Sequence, residues 1–180
     1  MSTKYTKRTN NRLTGYDYSQ VGHYYVTICT KNRQKLFGMV QDSRMIMNDC
    51  GNTVNACLQN IPKKYTDLQL DTHIIMPNHV HCIINIKNNV GAVHEPPDNK
   101  RTIHELSLQD RRKMMLPKII GYVKMRSAKQ INILCDTPDR PLWQRSFYDH
   151  IIRNEISLHK IREYIINNPL TWQFDIENKI

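Results

Sequence analysis

The sequence is short of acidic residues and lacks long apolar runs. Its 180 residues hold 16 Asp and Glu against 26 Lys and Arg, a formal net charge of +10. No run reaches membrane-spanning length, and the N-terminus lacks the apolar core of a signal peptide. We therefore expect a cytoplasmic protein with no membrane partner. An excess of cations this large predicts a polyanionic partner, most often nucleic acid.

The cysteines show no Cys-x-x-Cys pattern, and the chain shows no internal repeat. Five widely spread cysteines, an odd number, favour reduced thiols over a disulfide framework or a structural zinc site. Residues 1–20 carry no acid before Asp17, which predicts a basic N-terminal arm. A polar stretch around Pro96-Pro97 predicts a flexible loop at about 88–104. We predict one domain over 21–175.

Hydrophobic periodicity predicts alternating strands and helices in the order β-α-β-β-α-β-α. Apolar residues at helical spacing predict helices over 45–60, from Pro117 to about Ile131, and from an N-cap at Asn154 to Pro169. Aromatic and β-branched runs predict strands at Tyr24–Thr30, Leu68–Ile75, Val80–Ile86 and Pro141–Tyr148.

Two histidines stand where the third predicted strand begins, after the short Met76-Pro77-Asn78 connection. Because side chains alternate along a strand, His79 and His81 point to one face and Val80 to the other. Two imidazoles side by side are a ready pair of metal ligands. A bare His-x-His pair is nevertheless more often an ordinary polar feature of a strand.

The last predicted helix carries Tyr164 and Asn168 at i and i+4, which places them on one side of it. A tyrosine beside a two-histidine metal site is an arrangement for phosphoryl transfer, because a divalent ion polarises the phosphate. Asn168 would be the third, oxygen-bearing ligand, and this donor set suits manganese or magnesium. Asn168 precedes Pro169, where helical geometry is disfavoured, so the spacing does not settle its direction.

Cations around an aromatic residue mark the predicted helix that begins near Pro117. This pattern suits contact with a phosphate backbone and stacking on bases, and it is equally typical of a solvated helix face. The predicted nucleic-acid contacts on this helix and beyond it are Lys118, Tyr122, Lys124, Arg126, Lys129, Arg145 and Arg153.

Three motifs in order strengthen the case: Met-Pro-Asn-His-Val-His at 76–81, Phe-Tyr-Asp-His-Ile-Ile-Arg-Asn-Glu at 147–155, and Tyr-Ile-Ile-Asn-Asn-Pro at 164–169. Together they resemble the single-tyrosine HUH transposases, most closely the REP-associated tyrosine transposases, from about Tyr24 to Trp172. The resemblance implies that His79 and His81 bind a divalent metal (Mg or Mn), that Tyr164 is the nucleophile, and that Asn168 completes the metal site. It also implies an α+β fold, ferredoxin-like or RRM-like, with an antiparallel sheet and helices packed on one face.

The reaction that the resemblance implies is attack by the Tyr164 phenolate on a phosphate of single-stranded DNA, at hairpin-forming repeats. It leaves a 5′-phosphotyrosine bond and a free 3′-hydroxyl, so rejoining needs no nucleotide cofactor. Single-stranded or hairpin DNA is the expected partner. The resemblance leaves open a monomer or a homodimer, and a mobile or a domesticated element.

Other residues and another function compete with this interpretation. Tyr148 is a rival nucleophile, although an aromatic residue that caps the sheet edge is the simpler interpretation. His73 and His150 are rival metal ligands. The second function class is a non-catalytic single-stranded nucleic-acid-binding module on an RRM-like sheet, which would need neither the histidines nor Tyr164. The predicted strands lack the aromatic-rich motif of such modules.

Overall fold

A computed structural model of the chain describes residues 16–87 and 114–175 together with Asn178. The predicted loop at 88–104 and residues 1–15 of the predicted basic arm lie outside the described residues. The strands are β1 (Gly22–Cys29), β2 (Gly38–Gln41), β3 (Arg44–Met47), β4 (Leu68–Ile75), β5 (His79–Ile86) and β6 (Tyr148–Ile152). The helices are α1 (Asp49–Gln59), α2 (Ile61–Lys64), α3 (Met115–Leu134) and α4 (Glu155–Asn167), with 3-10 helices at Lys31–Arg33 and Asn168–Phe174.

One antiparallel sheet of four strands, in the order β4-β5-β1-β6, carries the histidine pair. Strand β1 pairs with β5 on one side and with β6 on the other, and β5 also pairs with β4. The register places Cys29 opposite His79 and Thr27 opposite His81. Both histidines therefore lie in a central strand, where neighbouring backbone on each side fixes their positions.

The two faces of this sheet pack against different helices. Val26 and Cys82 face the larger core, which includes buried residues of α1 and α3. Ile83 points to the opposite face and packs with Leu158 and Ile165 of α4. The predicted fold class, α+β with an antiparallel sheet, is confirmed. The resemblance implied that all helices share one face, whereas α4 covers the second face because apolar residues on that face also need burial.

Local boundaries differ from the predictions in two places. The helix predicted over 45–60 begins only at Asp49, because Asn48 accepts a hydrogen bond from the Gly51 N–H and caps it, while residues 44–47 pair with β2. The strand predicted at Pro141–Tyr148 is wrong: β6 begins at Tyr148, and the earlier stretch makes one isolated bridge, between Thr30 and Trp143.

Helix α4 begins where the sequence predicts. Asn154 accepts a hydrogen bond from the Ser157 N–H at 2.8 Å, which confirms the predicted N-cap of α4. All five cysteines are free thiols. Within 16–87 and 114–175, none of the helices combines the length and the apolar character that crossing a bilayer requires.

An ion pair fastens α4 to the edge strand β4. Arg162 donates from Nε to Asp71 Oδ1 at 2.9 Å and from Nη2 to Asp71 Oδ2. The Arg162 guanidinium holds the pKa of the Asp71 carboxyl below its usual range. A carboxyl with a depressed pKa stabilises the fold above its unfolded pKa, and that stabilisation is lost as the pH falls through the folded pKa.

We predict that Asp71→Asn lowers the free energy of unfolding by about 1 kcal/mol near neutral pH, because it removes a charge-assisted, bidentate contact. The difference from wild type should shrink as the pH falls below about 4, where the carboxyl of the unfolded chain is protonated, and vanish below the lowered pKa of the folded carboxyl. Urea unfolding at several pH values measures it.

The matched control is Glu163→Gln, which breaks a solvent-exposed pair with His159 on the same helix. It should change the free energy of unfolding by less than about 0.5 kcal/mol. Equal losses in the two variants would contradict a specific role for the contact between Arg162 and Asp71.

Candidate active site

The two predicted metal ligands lie side by side on the sheet face that α4 covers. His79 and His81 are 0% and 2% exposed. Their Nε2 atoms are 3.0 Å apart. Two ligands held about 2.1 Å from one ion at a right angle are about 3.0 Å apart, so this spacing suits adjacent positions around an octahedral ion.

Hydrogen bonds on the far side of His79 decide where its lone pair points. Asn78 Nδ2 donates to the Arg33 carbonyl at 3.2 Å, which identifies Asn78 Oδ1 as the atom 2.8 Å from His79 Nδ1. An amide oxygen only accepts, so His79 carries its proton on Nδ1. Its Nε2 lone pair therefore faces His81.

His81 is held by two hydroxyl groups instead. Its Nδ1 lies 2.8 Å from the Tyr25 hydroxyl and 2.9 Å from Thr27 Oγ1. Hydroxyls donate or accept, so this pair accommodates either tautomer of His81. With the proton on Nδ1, His81 directs a second Nε2 lone pair at the same point as His79, which is the form that binds metal.

Burial keeps both imidazoles neutral, as metal ligands must be. It lowers the pKa of His79 to about 3, with a smaller effect from the nearby Arg33 cation. It also lowers the pKa of His81 well below its usual range, and the neighbouring His79 acts in the same direction while Asp175 opposes both. Near neutral pH both rings keep a lone pair for a cation.

The third ionisable group at this site is an acid that the sequence analysis missed. Asp175 Oδ2 lies 4.0 Å from His79 Nε2. The potential ligand atoms of His79, His81 and Asp175 lie within 4.8 Å of one another, and all three residues are buried. Asp175 follows the 3-10 helix Asn168–Phe174, whose turns return the chain to the histidines. No apolar periodicity in the sequence indicates that return.

Asn168, the predicted third ligand, lies beside this carboxylate. Its Nδ2 donates to Asp175 Oδ2 at 3.0 Å, and its Oδ1 is buried without a hydrogen-bond partner. Its backbone stays helical, at φ −56 and ψ −39, although Pro169 follows. A buried acceptor without a partner costs about 1–3 kcal/mol, and a cation would offset that cost. Two imidazoles, a carboxylate and an amide oxygen together fit Mn²⁺ or Mg²⁺.

Tyr164, the predicted nucleophile, lies on α4 one turn before Asn168. The centroid of its ring is 5.4 Å from that of His81 and 6.3 Å from that of Tyr25. The side chain is only half buried, with 46% of the residue exposed. The fold thus places a phenol that a substrate can reach directly beside the buried histidines.

The rival residues lie farther from this cluster or face away from it. Tyr148 is equally exposed, but it is paired with Thr27, which itself stands opposite His81. His73 points to the other face and contacts Asn55 Oδ1 of α1 through Nε2 at 2.8 Å. His150 stands exposed on the edge strand β6.

The predicted nucleic-acid contacts lie apart from the histidines. Helix α3 covers the opposite face of the sheet, and its residues Lys118, Arg126 and Lys129 are exposed there. Lys124 donates from Nζ to the backbone carbonyls of residues 144, 145 and 146. The Lys64 ammonium lies 3.8 Å from the centroid of the Tyr122 ring. Arg145 and Arg153 are exposed on either side of β6.

Trp172 lies beside His79 and Lys35 lies beside Trp172, although neither residue was predicted to belong to the site. The ring of Trp172, in the 3-10 helix, lies 5.9 Å from that of His79 between centroids. Lys35 Nζ lies 5.7 Å from the centroid of the Trp172 ring. Both follow from tertiary packing, because neither belongs to a periodic pattern or to a motif around the histidines.

No family model matches the chain. An uncharacterized protein of Haemophilus influenzae is 36% identical over 181 residues, which cover 97% of each chain. The structure of a REP-associated tyrosine transposase bound to a REP hairpin is 15% identical, with a TM-score of 0.54 over 94% of this chain and 76% of that one. A candidate transposase from Deinococcus radiodurans is 16% identical, with a TM-score of 0.47 over 90% of this chain and 97% of that one. The transposase with the REP hairpin establishes the likeness of fold.

We predict that Mn²⁺ binds at this cluster and that His81→Ala and Asp175→Asn each weaken binding about tenfold or more, because each removes a buried donor. Isothermal titration calorimetry on protein freed of metal with EDTA measures the affinity. Asp136→Asn, which changes an exposed acid, is the control and should bind as wild type does. Unchanged affinity in Asp175→Asn would show that the carboxylate is not a ligand.

Proposed function

Because the chain belongs to one protein family with the Haemophilus influenzae relative and has the fold of a REP-associated tyrosine transposase, we propose that it is a transposase-type endonuclease. Its substrate would be single-stranded DNA, which it cleaves and rejoins through a 5′-phosphotyrosine intermediate. The observation that carries the proposal is the position of the Tyr164 ring, whose centroid lies 5.4 Å from that of the His81 ring. His81 belongs to a buried cluster whose donor atoms have the spacing of metal ligands.

The chemistry is an exchange of one phosphate ester for another. The Tyr164 oxygen loses its proton to solvent and bonds to the scissile phosphorus, while the bond from phosphorus to the O3′ atom of the preceding nucleotide breaks. That O3′ takes up a proton and becomes a free 3′-hydroxyl. The reverse attack by a 3′-hydroxyl on the phosphotyrosine rejoins the strand, with no nucleotide cofactor.

A bound divalent ion supplies charge that polarises the phosphate and neutralises charge as it develops. This assistance matters because a phenol with a pKa of about 10 is a weak nucleophile near neutral pH. His79, His81 and Asp175 would hold the ion, and Asn168 would add its amide oxygen. The predicted assignment of His79, His81 and Asn168 to the metal thus becomes part of the proposal, with Asp175 added.

The chain positions the nucleophile through α4. Leu158 and Ile165 bury one side of this helix against Ile83, and Arg162 fastens it to Asp71. Tyr164 flanks this buried side of the helix and lies partly exposed beside His81. Holding a nucleophile in a fixed place next to the reacting phosphate is a large source of rate acceleration.

The predicted nucleic-acid contacts suit the double-stranded part of a hairpin substrate. The structural neighbour binds a REP hairpin. We propose that the exposed cations Lys118, Arg126 and Lys129 on α3 contact the phosphates of the stem of such a hairpin. They lie on the face away from the histidines, so a stem bound there would leave the histidine face to the single strand. Arg145 and Arg153 are exposed before and after the edge strand β6, and they would contact the strand that leads to the site. Lys124 and Tyr122 would support this surface through their contacts within the protein.

A second candidate function is binding of single-stranded nucleic acid without catalysis. The observation that favours it is a group of tyrosines near the histidines, with Tyr25 and Tyr148 on the sheet and Tyr164 on α4. Bases stack on the aromatic rings of RRM-type sheets. Such a module would bind DNA equally well with or without a divalent metal, and it would form no covalent adduct.

We expect a covalent adduct when the protein meets labelled single-stranded hairpin DNA in Mn²⁺ or Mg²⁺. The 3′-labelled part of the cleaved strand should stay on the protein after denaturation, and the 5′-labelled part should be released with a 3′-hydroxyl. EDTA should prevent both products. Peptide mass spectrometry should locate the adduct at Tyr164.

Tyr164→Phe should abolish the adduct while DNA binding persists, because it removes the attacking oxygen and retains the ring. Tyr148→Phe, an equally exposed tyrosine on the same face, is the matched control and should keep the adduct. His79→Ala and His81→Ala should lose cleavage and keep DNA binding. An adduct in pure Tyr164→Phe protein would reject the assignment of the nucleophile.

A further inference from the structure

The histidine pair has an aromatic side chain at each end. Tyr164 contacts the ring of His81, with 5.4 Å between centroids, and Trp172 contacts the ring of His79, with 5.9 Å between centroids. The two side chains belong to one continuous stretch, in which Trp172 follows Tyr164 by two turns. They bracket the histidines, with the nucleophile at the His81 end.

Trp172 also has a cation on it. It is half buried between the site residues Asn168 and Asp175, and exposed Lys35 lies over its ring with Nζ 5.7 Å from the centroid. Cation–π contacts extend to about 6 Å, so this one is near its limit and a nucleobase can displace the ammonium. A base stacked on an indole ring beside an ammonium group is the usual combination for holding a single strand.

The geometry of phosphoryl transfer indicates which nucleotide would stack on Trp172. In phosphoryl transfer the attacking and leaving oxygens are roughly in line across the phosphorus. Because the Tyr164 ring lies beside His81, the leaving O3′ would point towards His79, where Trp172 lies. This assignment of the nucleotide rests on the proposed function.

We propose that Trp172 and Lys35 bind the nucleotide immediately 5′ of the cleaved phosphate, the one that leaves with the free 3′-hydroxyl. Its base stacks on the Trp172 ring, and its own 5′-phosphate contacts the Lys35 ammonium. The site retains the 3′-hydroxyl beside the phosphotyrosine after cleavage. Retention favours rejoining over loss of the strand.

Trp172 is well placed to report its own occupancy. The other tryptophan, Trp143, is buried and donates from Nε1 to Ser127 Oγ at 3.0 Å. A DNA strand on the surface therefore reaches Trp172 and leaves Trp143 unaffected. Tryptophan fluorescence then measures binding at this site without any cleavage.

The first experiment titrates a short oligothymidylate into full-length Tyr164→Phe protein with EDTA present. Tryptophan emission should be quenched, and the quenching should be lost in the Tyr164→Phe protein that also carries Trp172→Phe. Lys35→Ala should weaken binding about threefold or more and reduce the salt dependence by the share of one phosphate contact. Phe174→Ala, which removes an exposed aromatic two residues away, is the matched control and should bind within about twofold of its parent.

The second experiment uses metal and the cleavable hairpin. Trp172→Ala should reduce the ratio of rejoined to cleaved DNA about fivefold or more, while the rate of adduct formation changes less than that ratio does. A purely structural role for Trp172 would lower cleavage and rejoining together. Equal loss of both would overturn the proposal.

The two experiments distinguish failure of the proposed endonuclease from failure of the proposed nucleotide site on Trp172. Quenching that depends on Trp172, without any adduct in the cleavage assay, would reject the endonuclease and keep a nucleotide site on Trp172. An adduct at Tyr164 with quenching that Trp172→Phe does not alter would keep the endonuclease and reject the nucleotide site.

Discussion

Two neutral imidazoles with their Nε2 atoms 3.0 Å apart in a buried position are the constraint on which this site depends. Asn78 fixes the lone pair of His79 towards His81. Two lone pairs directed at one point repel each other unless a proton or a cation lies between them. The hydroxyls of Tyr25 and Thr27 meet both cases, because they accept from His81 Nδ1 or donate to it. The strands therefore need not move when a cation takes the place of a proton between the two imidazoles.

The period of two along a strand allows one sheet to combine a core with a reactive face. In β5, Val80 and Cys82 enter the larger core, while His79 and His81, which alternate with them, face α4. Because β1 borders β5 over its whole length, the hydroxyls that hold His81 come from the neighbouring central strand. The histidines and the hydroxyls that hold His81 therefore lie on the two central strands of the sheet, where fixed geometry is easiest to maintain.

Features with a local period could be predicted from the sequence, and features without one could not. Strand parity was sufficient to place His79 and His81 together, and helical spacing to place Tyr164 near Asn168. The spacing of Asp175 carried no such information, because a 3-10 helix with no apolar stripe connects it to α4. The early boundary predicted for β6 has a similar cause, since the buried rings of Trp143 and Phe147 resemble a strand pattern although that stretch pairs only through one bridge.

The site consists of two halves that meet only through tertiary packing. Strand β5 supplies the histidines, and the stretch that runs from α4 through the 3-10 helix to its end supplies Tyr164, Asn168, Trp172 and Asp175. This second half rests on the smaller apolar cluster around Ile83 and on the ion pair between Arg162 and Asp71. A small cluster opens at lower free energy than a main core. Loss of that docking would separate nucleophile from histidines while the sheet stays folded, so the docking of α4 controls whether the site is complete.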